Sequence, residues 1–367
     1  MSEAASETKE RKQFPCESCG APLIFSIGAQ QLKCSHCGFE KALTFDEGTR
    51  PVSDHALAEG LARQARQRSQ DSEAQQELSC AACGATVAFQ GSLTSTACAY
   101  CDTPLQLKNA HTSERPLPVD GLCTFVVEKA AAQENLKRWV RWRWFAPNAF
   151  KQRGVDGKFD GVYMPFFTFD AMTFTRFSGQ RGDAYWVSKT GGKKPRRERR
   201  VDWTTKAGSF HRFFEDLCVP ALRSMPPKLL RGLEPWPVAR LIPFTHGALA
   251  GKRAHTYELK LDACFDHAQE RIHEELGKDV KARIGGDEQR VHSQQTHFSA
   301  LTFKHVLLPV WILAYRYEGK PYRVVVNAVT GQVNGERPFS IPKIVAAVVV
   351  VALMIFLVTQ FFPGDPE

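Results

Sequence analysis

The chain has 367 residues, a length that suggests two or three domains of roughly 100–200 residues each. With 43% hydrophobic and 24% charged residues, the composition excludes a wholly disordered chain, a polytopic membrane protein and a collagen-like or repeat fibre. Lys and Arg number 48 against 39 Asp and Glu, which gives a net charge of +9. This surplus permits an anionic partner without requiring one.

Residues 1–13 form a polar tail without an apolar core, so a secretory signal peptide is not expected. A first zinc ribbon is predicted over 14–40. It contains two Cys-x2-Cys pairs that are separated by 14 residues: Cys16, Cys19, Cys34 and Cys37. Each pair predicts a tight turn whose thiolates converge on one ion, and Gly20 and Gly38 follow the pairs where such a turn favours a positive φ.

Residues 41–77 are predicted as a linker with a short helix that begins near His55. A second ribbon is predicted over 78–107, where the same 14-residue separation recurs. Its four predicted ligands are Cys80, Cys83, Cys98 and Cys101. Two closed four-cysteine sites predict two structural Zn²⁺ ions that contribute folding free energy. A disulfide interpretation would require an oxidising compartment, and a redox interpretation would expect one such motif near a βαβ unit, so neither fits.

A body over 108–338 is predicted as α+β, a mixed fold with antiparallel strands. Helices are predicted at Glu128–Phe145, Phe210–Ser224 and Leu261–Arg283. Strands are predicted at Gly161–Phe177, at a hairpin of Val306–Tyr317 with Tyr322–Asn327, and at a last short strand after Gly331. The unpaired Cys123, Cys218 and Cys264 are expected to be buried core residues.

A basic run, KTGGKKPRRERR over Lys189–Arg200, holds seven basic residues and one acid. It could bind nucleic-acid phosphates or anionic lipid head groups, or it could be a solvated hairpin loop that turns at Gly191-Gly192. The candidate anion contacts are Lys193, Lys194, Arg196, Arg197, Arg199 and Arg200. A second segment, Lys137–Phe145, interleaves cations and indoles, and core packing of Trp139 and Trp142 is favoured over base stacking.

No catalytic motif is evident. The histidines lack a spacing that would place two imidazoles on one ion, and neither H-E-x-x-H nor G-x-S-x-G occurs. We therefore expect no catalytic residues.

Residues 344–362 are apolar apart from Thr359 and Gln360 and would rise about 28 Å as a helix, close to the roughly 30 Å hydrocarbon core. They predict a single C-terminal transmembrane helix. Positive charge precedes it and negative charge follows it, which places the N-terminal bulk in the cytoplasm. A tail anchor in a bacterial inner membrane is expected.

The ribbon is followed by a body that contains four notable stretches: Gly161-Val-Tyr-Met-Pro-Phe-Phe-Thr-Phe-Asp-Ala, Ser178-Gly-Gln-Arg-Gly-Asp, Thr302-Phe-Lys-His-Val-Leu-Leu-Pro-Val-Trp and the closing Tyr322-Arg-Val-Val-Val-Asn-Ala-Val-Thr-Gly-Gln-Val-Asn-Gly-Glu-Arg-Pro-Phe-Ser. Together they resemble a bacterial family labelled TFIIB-type zinc-ribbon proteins, or "primosomal protein N′ / superfamily II helicase-like" proteins. The resemblance covers about 14–343. It implies an anchoring or adaptor role beside SPFH-domain and phage-shock-type envelope proteins, and it transfers the cysteine ligands alone.

The helicase label fails on this sequence. A superfamily II motor needs G-x4-G-K-[ST] and a DExx box. The nearest approach, Gly247 to Lys252, is one residue short and is followed by Arg253.

The sequence therefore predicts a non-enzymatic, tail-anchored adaptor that binds a protein partner through its ribbons, with no evident small-molecule substrate. The alternative is a membrane-tethered nucleic-acid-binding protein that uses a ribbon and the basic run.

Overall fold

A computed structural model describes most of the chain. The described ranges are 14–43, 51–70, 117–143, 145–147, 158–189, 196–317 and 320–361, with five short strands between 75 and 113.

The first ribbon is a three-stranded antiparallel sheet. Its strands are β1 (Leu23–Ser26), β2 (Gln31–Cys34) and β3 (Glu40–Lys41), with β2 in the middle. β1 buries Leu23 and Phe25, which are alternate positions because successive side chains of a strand point to opposite faces. A short strand, β4 (His55–Ala56), then leads into helix α1 (Leu57–Gln70), and the helix predicted in the linker is confirmed.

Five strands follow in the region of the second predicted ribbon: β5 (Gln75–Ser79), β6 (Thr86–Phe89), β7 (Ser95–Ala97), β8 (Pro104–Gln106) and β9 (Ala110–Ser113). β5 pairs with β6 and β9, and β7 pairs with β8. The pairs β5–β6 and β7–β8 flank the sequence positions of the second cysteine quartet. Cys80, Cys83, Cys98 and Cys101 themselves lie outside the described residues.

The body is built on a nine-stranded, mainly antiparallel sheet. Its first elements are β10 (Gly121–Leu122), α2 (Lys129–Arg141), β11 (Lys158–Lys189), β12 (Arg196–Pro220), α3 (Pro227–Arg231), β13 (Ile242–Pro243) and β14 (Arg253–Ala254). The remaining elements are α4 (Leu261–Ile284), β15 (Glu288–Tyr317), β16 (Lys320–Asn327), β17 (Val333–Gly335) and α5 (Ile341–Phe361). One-turn 3-10 helices occur at Val238–Arg240 and His246–Leu249.

Three very long strands dominate this sheet. The 32-residue β11 lies between β12 and β15 and pairs with both in antiparallel register. Its register shifts near Asp170 on both sides, which marks β-bulges that bend the strands there. The bulges divide the sheet into a proximal part, up to Asp170, and a distal part beyond it.

The two parts are covered differently. In the proximal part, β11 is buried on both faces, with Val162 and Met164 in one core cluster and Phe159 and Tyr163 in another. In the distal part, α4 covers one face, and its buried residues recur at helical spacing: Leu261, Cys264, Ala268, Ile272, Leu276, Val280 and Ile284. This periodicity confirms the helix predicted over Leu261–Arg283.

The structure corrects the predicted fold class at the segment Phe210–Ser224. This segment was expected to be a helix, but most of it is the end of β12, paired with β11 from Phe166↔Pro220 to Thr175↔Phe210. Phe210 and Phe214 are buried against α4. Pairing with a distant strand therefore overrides the local helical preference, as strand pairing and burial often do, and the body is richer in strand than expected.

The predicted transmembrane helix is also corrected. α5 begins at Ile341, and its side chains are described as far as Leu357. In the described part of the chain, no helix is long and apolar enough to cross a membrane. The expected tail anchor and inner-membrane location are corrected accordingly.

Candidate metal centre and exposed hairpin tip

Four cysteines of the first ribbon converge on one point. The sulfur atoms of Cys16 and Cys37 lie 3.5 Å apart, as do those of Cys19 and Cys34, and all four lie within 4.8 Å of one another. A tetrahedral ion with metal–sulfur bonds near 2.3 Å requires sulfur separations of about 3.8 Å. The cysteine quartet can therefore hold one metal ion.

Two matching turns position these ligands. The amide of Gly20 donates to the carbonyl oxygen of Cys16 at 2.8 Å, and the amide of Gly38 donates to that of Cys34 at 3.1 Å. Both glycines have positive φ, +72° and +77°, a conformation that glycine adopts without steric cost. The expected glycine role is confirmed.

The local field favours a thiolate at Cys34. The backbone amide of Cys37 and, less strongly, that of His36 lower the pKa of Cys34 to about 6, although burial opposes them. Hydrogen bonds to the charged form favour that form. A metal ligand must be the thiolate, and the turn amides favour that form at Cys34; at Cys19 the Ala21 amide is outweighed by the neighbouring thiols, which raise the pKa.

The first ribbon is docked on the body. The amide of Phe25 donates to the carbonyl oxygen of Ala250 at 3.0 Å, and Ala250 packs into the apolar cluster that contains Cys16 and Cys34. Gly251 has φ +72°, and a Cβ atom there would lie 3.0 Å from the Ile24 side chain. The ribbon that carries the metal site therefore packs directly against the body, in addition to being connected to it by the linker.

The basic run lies at the distal hairpin of β11 and β12. Arg196 begins β12, and Lys193 and Lys194 lie outside the described residues. Arg199 forms an ion pair with Glu288 at 2.7 Å, and Arg200 lies 3.6 Å from Glu198. These pairs reduce the positive charge available to an anion.

Two large aromatic residues accompany these arginines. Tyr185 is 48% exposed and Trp186 is 65% exposed. Tyr185 is paired across the strands with Arg200, and Trp186 with Arg199. We call Tyr185, Trp186, Arg197, Arg199 and Arg200 the tip surface; its two faces carry Trp186, Arg197 and Arg199 on one side and Tyr185 and Arg200 on the other. Sequence reasoning missed its aromatic part, although Tyr185 and Trp186 lie directly before a predicted hairpin turn.

The other segments considered in the sequence are mainly structural. Cys123, Cys218 and Cys264 are buried as expected, and burial raises the pKa of Cys123 to about 12. Trp139 packs against the core, whereas Trp142 is 73% exposed, so the expected shared burial of the two indoles is only half right.

Comparison with known proteins assigns no family. No family model matches the chain, and no solved structure matches it. The chain is similar to the uncharacterized protein YdjG of Bacillus subtilis (strain 168), with 25% identity over 230 residues that cover 60% of this chain. The match spans 64% of the length of YdjG, less than two thirds of that protein.

Proposed function

We propose that this protein is a zinc-stabilised, non-catalytic adaptor that binds a protein partner through the tip surface. The observation that carries the proposal is the pairing of exposed aromatic and arginine side chains across β11 and β12, Tyr185 with Arg200 and Trp186 with Arg199. Trp, Tyr and Arg are the residues most enriched at the energetic centres of protein interfaces.

The ion proposed for the first quartet is Zn²⁺. Four thiolates in tetrahedral arrangement favour zinc or an iron–sulfur site, and a closed site with four protein ligands is typical of structural zinc. The same 14-residue separation in the second quartet supports a second Zn²⁺ ion held by Cys80, Cys83, Cys98 and Cys101. Neither ion would have an open position for catalysis.

The rigidity of the distal sheet supports a binding role. α4 packs against one face through Ile272, Leu276 and Val280, and the hydrogen-bonded ladder of β11 and β12 continues to Lys189↔Arg196. The tip surface lies on the two-stranded end of this ladder, beyond the last pair of β11 with β15, Gly182↔Glu288. Strand pairing fixes its backbone, which limits the ordering entropy lost when a partner binds. The resemblance noted in the sequence suggests an SPFH-domain or phage-shock-type envelope protein as that partner.

The test is an affinity purification of tagged full-length protein with and without nuclease, read by quantitative mass spectrometry. We expect a stoichiometric protein partner that survives nuclease and is lost on Trp186→Ala. The matched control is Trp142→Ala, since Trp142 is also largely exposed but lies at the end of α2. Equal capture by the wild type and by both variants would contradict the proposal.

Nucleic-acid binding is the second candidate, favoured by the exposed aromatic rings of Tyr185 and Trp186 beside arginines at the tip surface. The ion pairs of Arg199 and Arg200 weigh against it because paired arginines release fewer counterions. This candidate would be favoured over the adaptor if the affinity for a labelled oligonucleotide decreased steeply with salt concentration and decreased further in Arg197→Gln.

A further inference from the structure

A cavity lies in the seam between the first ribbon and the body. Its volume is about 480 Å³, within the range of small-molecule sites. The ribbon contributes the turn that follows β1, including Gly28, and the body contributes the start of α2, the start of β11 and the segment around Lys252. We call this cavity the seam pocket.

Lys252 is the central cation of the seam pocket. Its ammonium lies 4.7 Å from the ring centroid of Trp311 and 4.9 Å from that of Phe125. Among the described residues, no carboxylate lies within 4.0 Å of this ammonium. Burial lowers the pKa of Lys252 most, the charge of Lys129 lowers it further, and the charge of Asp160 opposes both effects. The ammonium is therefore held mainly by aromatic faces, and its charge is not neutralised by a described neighbour.

A second cation and a helix end face the same space. Lys129 is the first residue of the 13-residue α2, and the preceding Glu128 makes no side-chain cap hydrogen bond. The first amides of a helix have no partner within it and carry partial positive charge. Both Lys129 and Glu128 line the seam pocket, so the helix end adds to the positive field near Lys252.

The acidic groups of the pocket do not cancel this field. Asp160 lies 3.7 Å from Arg253, which leaves Glu128 to oppose Lys129 and Lys252. The three cations Lys129, Lys252 and Arg253 exceed the two carboxylates by one positive charge, and the helix end adds its partial charge. An anionic phosphate group between the two lysines would offset it, and phosphate groups are bound at such sites through lysine and helix amides.

We propose that the seam pocket binds the phosphate group of a small molecule between Lys129 and Lys252. The cavity is larger than the phosphate itself, so it has room for a small organic part beside the phosphate. One wall belongs to the ribbon. The bound phosphate would therefore hold the ribbon on the body, and the metal and the phosphate would each strengthen the binding of the other.

Close packing makes the shape of the pocket specific. A Cβ atom at Gly28 would lie 3.3 Å from Glu128 Oε1, and one at Gly161 would lie 2.9 Å from both Phe125 and Trp311. These glycines allow the ribbon turn and β11 to approach α2 and the aromatic rings. The pocket therefore depends on the docked position of the ribbon.

The experiment is calorimetric titration of the full-length protein with inorganic phosphate, pyrophosphate and glucose 6-phosphate, with sodium chloride at matched ionic strength as the blank. We expect saturable binding of at least one phosphate compound, weakened at least tenfold by Lys252→Gln and by Lys129→Gln. The control is Lys281→Gln, an exposed lysine in the last turn of α4. Retained affinity in both pocket variants, or equal loss in the control, would overturn the proposal.

Folding of each variant is checked by circular dichroism before titration. If Lys252→Gln does not fold, Lys129→Gln decides the question, since Lys129 is more peripheral. The titration is repeated after chelation of the metal, where we expect weaker phosphate binding. Partner capture by the pocket variants separates this proposal from the adaptor function: loss of phosphate binding with capture retained would confirm an independent site.

Discussion

Gln30 donates a hydrogen bond from Nε2 to the carbonyl oxygen of Phe125 at 2.7 Å, although the two residues are 95 positions apart. Gln30 follows β1 in the ribbon, and Phe125 is fully buried in the body. The Gln30 carboxamide oxygen also accepts a hydrogen bond from Thr124 at 2.7 Å. One ribbon side chain thus satisfies two groups of the body and fixes the ribbon against it.

The first prediction concerns this contact. Gln30→Ala removes both of these hydrogen bonds, and a third from Gln30 Nε2 to the Ile27 carbonyl oxygen within the ribbon. It should destabilise the folded protein by about 1–2 kcal/mol in chemical denaturation. Gln31→Ala is the matched control because Gln31 contacts Glu40 on an exposed part of the ribbon, and we expect a change within about 0.5 kcal/mol. Equal effects of the two changes would show that the ribbon is not fixed by Gln30.

The second prediction concerns a partly buried ion cluster at the β-bulges. Lys304 pairs with Asp54 at 2.7 Å and with Asp216 at 2.9 Å, and its side chain is 11% exposed. Lys304→Met leaves two carboxylates without their cation and should cost about 2–4 kcal/mol of stability. Lys278→Met is the control, since its pair with Glu275 is exposed and should contribute less than about 0.5 kcal/mol. A small effect at Lys304 would refute the role of the cluster.

The third prediction concerns the pH dependence of Asp170 in the same cluster. Burial raises the pKa of Asp170, and the adjacent Asp54 adds to this, while the Asp216 amide opposes it. Because the pKa of Asp170 is higher in the folded state than in the unfolded state, protonation of Asp170 stabilises the folded protein. This stabilisation is fully present below the unfolded-state pKa near 4 and is lost as the pH rises through the folded-state pKa.

Asp170→Asn removes this titration and keeps an acceptor for the Asp216 amide, which lies 2.6 Å from Asp170 Oδ1. The melting temperature of the variant relative to wild type should therefore rise between pH 4 and pH 7. Thermal unfolding across this range is the measurement, and a difference independent of pH would contradict the raised pKa.

The fourth prediction concerns removal of the metal. Structural zinc contributes roughly 10 kcal/mol or more of apparent binding free energy in small zinc domains. Chelation should therefore release the turns around Gly20 and Gly38 and the contact between Phe25 and Ala250, while α4 stays protected. Hydrogen exchange read by mass spectrometry measures this. Unchanged protection of the ribbon amides after verified metal loss would contradict a structural role.

Sequence reasoning succeeded where the signal is local. The Cys-x2-Cys spacing and the glycines after it determine the first ligand quartet, and the helical period of Leu261 to Ile284 identifies α4. It failed at Phe210–Ser224, because only pairing with β11 makes this segment a strand. Lys129, Lys252 and Trp311 come from three distant parts of the chain, so no spacing could have indicated the seam pocket.

Metal analysis of the purified full-length protein tests the central claim most directly. Elemental analysis by mass spectrometry should find two zinc ions per wild-type chain. It should find one zinc ion in Cys34→Ser and one in Cys98→Ser, because each change opens one quartet. A wild-type chain without bound zinc, or zinc content unaffected by both changes, would contradict a zinc-stabilised adaptor.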